Sequence, residues 1–136
     1  MGNIRATEKT HVDNYTEDII NSIEGKAFAI SQQNVMYASA KELGGYYYFM
    51  TIIVGTFKIK TFKGATLTIS GTDFELELKT DMDEFESEYS NVTNRNITRI
   101  DFQIEEEDVS KIDKSQIDTL LLIAKKHKIN FTTVED

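Results

Sequence analysis

The sequence predicts an α+β protein: an antiparallel β-meander of five strands, curled or partly barrelled, with an N-terminal helix and a short C-terminal helix plus hairpin. Three observations predict it. Apolar residues alternate with polar ones through Phe57, Ile59, Leu67, Ile69, Phe74, Leu76, Leu78, Phe85, Tyr89, Ile100, Phe102 and Ile104. A period of two sends successive side chains to opposite faces of a sheet. Helical spacing occurs before that stretch, at Ile19, Ile20, Ile23 and Ala27, and the C-terminal part changes style again, with acids first and bases last over 105–114.

Residues 1–15 read as a flexible polar arm and 16–136 as one α+β domain. Thr16 offers an N-cap, and Glu17 and Asp18 suit the positive end of a helix dipole. The end of this helix stays open. Gly25 can stop it, leaving a short strand near 27–31, or it continues, because Met36, Ala40 and Leu43 keep helical spacing up to Gly44-Gly45. Tyr46 to Val54, aromatic and β-branched, predicts a strand, with Gly55 as a bulge or bend.

Lys63-Gly64 turns the chain into a strand over 65–70, and Gly71-Thr72-Asp73 turns it into another over 74–79. The apolar phase then shifts from even to odd numbers, which requires a turn over 80–83 before a strand at 84–89. The loop 91–96 leads to a fifth strand, 97–104. Glu105 to Asp108 open a short helix through Ile112, with Lys111 and Lys114 near its end. Ile117 to Ala124, the basic turn Lys125 to Lys128 and Ile129 to Val134 complete the chain. Closure into a barrel or roll is the main alternative architecture. Phe57, Ile59, Leu67, Ile69, Leu76, Leu78, Phe102 and Ile104 are the expected core.

Composition narrows function by exclusion. The chain of 136 residues has no cysteine, which removes disulfides, thiolate catalysis and sulfur-bound metals, and no proline, so its turns rely on Gly, Asn, Asp and Ser. A net charge of −8 opposes nucleic-acid and anionic-membrane partners and favours cations or a basic protein. The segment 1–14 has no apolar run of a signal peptide, and 46–54 is too short to cross a bilayer, so the chain is expected to be cytoplasmic.

Catalytic and metal motifs are missing. The histidines, His11 and His127, read as solvent-exposed, and Asp81-Met82-Asp83-Glu84 lacks the glycine and distal glutamate of a calcium loop. No glycine-rich phosphate loop or nucleophile elbow occurs. The expectation is no catalytic residues, no metal and no cofactor. Lys58, Lys60 and Lys63 form a basic cluster that reads as a solvated edge guard.

Two binding candidates remain. If consecutive strands pair, Glu75 and Glu77 lie beside Glu84, Glu86 and Glu88 on the wet face, either as a surface for a basic partner or as a solvated charge block. The run Tyr46, Tyr47 and Tyr48 sends Tyr47 opposite the other two, so the strand lines a groove or is covered on both faces. The sequence thus points to a non-catalytic binding module for a basic protein, or alternatively to a small-ligand carrier or enzyme with a pocket inside the curled sheet.

Overall fold

A computed structural model describes residues 26–56, 58–61, 64–80, 85–90 and 94–134, with the side chains of 60, 61 and 85 outside the description. Among the described residues eleven strands follow in order: β1 (Ala29–Ile30), β2 (Asn34–Leu43), β3 (Tyr46–Gly55), β4 (Lys60–Thr61), β5 (Thr66–Gly71), β6 (Glu75–Lys79), β7 (Phe85–Glu86), β8 (Glu88–Ser90), β9 (Arg95–Gln103), β10 (Ile117–Ala124) and β11 (His127–Thr133). Nine of them form one antiparallel sheet in the order β6-β5-β10-β11-β1-β2-β3-β9-β8, and β4 pairs with β7 separately.

Local chemistry explains the hairpins. Gly44 and Gly45 take φ of 62° and 87°, the left-handed pair of a two-residue turn whose twist matches its strands, and Leu43 faces Tyr46 across it. A second two-residue turn joins Ala124 to His127, and there only the first residue, Lys125, takes a positive φ, 57°. Gly71 donates its N–H to the Phe74 carbonyl at 2.8 Å and closes the β5–β6 hairpin.

The sheet curls into a half-barrel. Its β6 edge swings back toward β9, where Thr80 forms an isolated antiparallel bridge with Phe102 and donates its hydroxyl to the Asp101 carbonyl at 2.7 Å. The β4–β7 pair is pinned to β9 through Ser87, whose N–H bonds the Ile59 carbonyl, whose Oγ accepts from the Ile59 N–H, and whose hydroxyl meets that of Thr98. The interior is filled: Met36, Phe49, Ile53, Leu67, Ile69, Ile100, Phe102, Leu120, Leu122 and Phe131 are buried together. The convex side of β1, β2 and β3 carries a smaller cluster of Ala27, Ile30, Val35 and Val54, with Tyr37, Ile52, Ile97 and Val134 against it.

The α+β expectation is overturned. Among the described residues, the only helical segments are two 3₁₀ turns, Glu106–Lys111 and Lys114–Gln116. The start of the expected N-terminal helix, up to residue 25, lies outside the described residues. Its continuation through 26–43 contains β1 and β2 instead, because Met36, Ala40 and Leu43 keep helical spacing by coincidence and β2 pairs along its length with the aromatic β3. The C-terminal helix is replaced by the 3₁₀ turn because the segment is short and Glu105 makes no side-chain cap.

The consecutive meander is also corrected. β10 lies beside β5 and β9 beside β3; β6 ends the sheet, and β7 pairs with β4 and β8 with β9 instead of with β6. Alternation defines which face a residue occupies, not which strand lies next to it. The predicted strand 84–89 is divided at Ser87, which turns inward and is buried. Tyr89, on the edge strand β8, is 59% exposed.

The expected core fares better. Ile59, Leu67, Ile69, Leu78, Phe102 and Ile104 are buried, Leu76 is half-buried, and Phe57 lies outside the described residues. No helix among the described residues is long and apolar enough to cross a membrane.

Candidate functional site: the acidic seam beside strand six

The half-barrel leaves a seam where its two sides approach without pairing along their length. A cavity of about 620 Å³ occupies it, lined by Tyr46, Tyr47 and Tyr48 of β3, by Leu76 to Lys79 of β6, by Gln103 at the end of β9, and by Ile104 to Glu106 and Asp108 after it. This volume falls within the range of about 300–1,000 Å³ for ligand pockets. Its apolar floor is Leu76, Tyr47 and Ile104, all part of or packed against the main core. Its polar lining includes four carboxylates, Glu77, Glu105, Glu106 and Asp108, against one cation, Lys79.

Alternation explains the tyrosines. Tyr47 shares the inward phase of Phe49, Thr51 and Ile53 and packs on the core, while Tyr46 lies on the other side and is 71% exposed. Tyr48 is half-buried. The Tyr47 hydroxyl donates to Glu106 Oε1 at 3.2 Å, tying β3 to the 3₁₀ turn. That bond raises the Tyr47 pKa above the usual tyrosine value, because ionisation would remove the donor and set two anions together; burial and the charge of Glu42 act in the same direction. Asp108 is engaged by Lys111 Nζ at 2.8 Å.

A pH prediction follows from this geometry. The folded state holds the Tyr47 proton more tightly than the unfolded chain does. Its contribution to stability is therefore present below the ordinary tyrosine pKa and is lost as pH rises through the elevated folded value. Glu106→Gln should bring the Tyr47 titration, followed by NMR of the ring, back down toward the ordinary value. An unchanged titration would show that the bond does not form.

The four described glutamates of the expected patch are divided among three strands. Glu75 and Glu77 stand exposed on β6, Glu86 on β7 and Glu88 on β8, and Glu84 lies outside the described residues. Lys58 approaches Glu86 at 3.9 Å, a long surface pair of little energetic weight. Of the sequence candidates, the seam gathers Glu77, Tyr46, Tyr47 and Tyr48 and adds Glu105, Glu106 and Asp108. Those acids carried a signal in the sequence, but a helix dipole explained it. His127 is half-buried rather than exposed, while His11 and Lys63 lie outside the described residues. Among the described residues, no three His, Asp or Glu side chains converge as a metal site would require.

No known protein family, curated protein or solved structure matches the chain.

Proposed function

We propose that this protein is a non-catalytic binding module that takes a cationic segment of a basic protein into the acidic seam. The observation that carries the reading is the lining of the seam cavity, which among the described residues includes four carboxylates and a single lysine, with Tyr47 on the inward face of β3. Aromatic faces attract ammonium and guanidinium groups through the ring quadrupole, and the nearby carboxylates add Coulomb attraction. The net charge of −8 supports the same partner, since it would steer a basic protein toward the surface and repel phosphate-rich ones. The filled interior argues against the carrier or enzyme alternative, because Phe49, Phe102 and Phe131 occupy the space an internal pocket needs.

A fluorescein-labelled decalysine peptide tests the site with a charge-matched control. Glu77→Gln with Glu105→Gln should weaken binding at least fivefold at low salt and flatten its salt dependence. Glu88→Gln with Asp73→Asn removes the same charge from exposed positions outside the cavity lining and should change affinity less than twofold. Equal losses in both variants, or none in either, would overturn the seam as the binding site.

A further inference from the structure

The seam also exposes backbone. Two bonds fix the phase of β6: Gly71 N–H to the Phe74 carbonyl at 2.8 Å, and Thr80 N–H to the Ala65 carbonyl at 3.3 Å. With Leu76 opposite Ile69 and Leu78 opposite Leu67, the even-numbered residues of β6 direct their peptide groups at β5. Glu75 and Glu77 therefore direct theirs away from β5, and among the described residues no strand pairs with that side of β6 before the single bridge at Thr80.

Resting on the cationic-partner reading above, we infer that the partner segment enters as an added β-strand along the free edge of β6, extending the sheet across the seam. An extended segment pairing with Glu75 to Lys79 needs five or six residues, about 17 Å at roughly 3.4 Å per residue. Side chains of such a strand alternate between two environments. One set lies over Leu76, Tyr47 and Ile104 and is apolar; the other stands on the outer face beside Glu75 and Glu77 and is basic.

Charge selects this occupant over a second copy of the chain. The antiparallel self-pairing that matches Lys79 to Glu75 sets Glu77 directly against Glu77, a like-charge contact that natural edges use to prevent self-association. A basic segment meets both glutamates favourably.

The probe is the acetylated and amidated heptapeptide Lys-Val-Lys-Val-Lys-Val-Lys, added to the full chain and followed by amide hydrogen exchange. Strand addition predicts that exchange at the Glu75 and Glu77 amides slows at least tenfold on saturation. The Leu76 and Leu78 amides, already bonded to β5, should change little. It also predicts that N-methylating one alternate set of peptide amides abolishes binding, while methylating the other set leaves affinity within about threefold. Seam-dependent affinity without protection at Glu75 and Glu77 would overturn strand addition and leave the cationic-partner reading standing. No seam-dependent affinity for this heptapeptide or for decalysine would overturn both. Dimers of the free protein that Glu77→Lys dissociates or tightens would assign the edge to a second copy and also overturn the proposal.

Discussion

Phe102→Ala should destabilise the protein by about 3–5 kcal/mol, measured by equilibrium urea unfolding. Phe102 is fully buried, sits opposite Phe49 on β3 and forms the bridge to Thr80 that draws the half-barrel together. Phe49 in turn packs edge-on against Phe28, with ring centroids 5.5 Å apart and an interplanar angle of 71°. Truncation removes apolar burial and leaves a cavity among rings held in place by β3 and β9, so collapse recovers little. A domain of this size is stable by about 5–15 kcal/mol, and the loss consumes a large share of that. Tyr89→Ala is the control: the residue is 59% exposed, so its truncation should change stability by no more than about 0.5 kcal/mol. A Phe102→Ala protein that unfolds at the wild-type midpoint would show that the interior is not packed as described.

The inward faces were legible because alternation is local. Leu67, Ile69, Leu78 and Phe102 each announce their side by the polar residues flanking them, whatever strand comes next. The neighbours were not legible. Ile69 pairs with Leu76 on one side, seven residues on, and with Leu120 on the other, across most of the C-terminal half. Nothing in the β5 sequence specifies the second partner, and the compact run 117–124 fits a buried strand or a buried helix equally well by periodicity. β6 ends the sheet while β7 pairs with β4 and β8 with β9, so the consecutive pairing that would have put Glu75 and Glu77 beside Glu86 and Glu88 is absent among the described strands.

The seam was half legible for the same reason. Tyr47 stands out because a three-tyrosine run cannot keep all its rings on one side of a strand, and Glu77 because it is an acid on a wet face. Their meeting depends on β6 and β3 approaching across the open side of the half-barrel, which is a property of closure. Glu105 and Glu106 were concealed by a sound local argument. Acids ahead of Lys111 do fit a helix start, and the chain makes a 3₁₀ turn there whose Glu106 reaches sideways to Tyr47.

Gly55→Ala should cost about 1–3 kcal/mol, a penalty of overpacking. Gly55 ends β3 directly opposite Asn34, and a methyl group placed on its α-carbon would collide with the Asn34 side chain and the Gln33 carbonyl. Gly55 does not occupy the left-handed region, so the cost is steric. The surroundings give way poorly. Asn34 is 1% exposed, and the Gln33 carbonyl accepts the Thr56 N–H at 3.3 Å while its side-chain Oε1 accepts the Thr56 hydroxyl at 3.0 Å. Asn34→Ala tests the mechanism, since it removes one of the two colliding groups together with a buried Nδ2 that has no hydrogen-bond partner among the described residues. In the double variant, Gly55→Ala should therefore cost less than it does alone, with a coupling of at least about 0.5 kcal/mol. Additive penalties would mean that the Gln33 carbonyl alone sets the cost, and that the side chain of Asn34 does not require glycine at position 55.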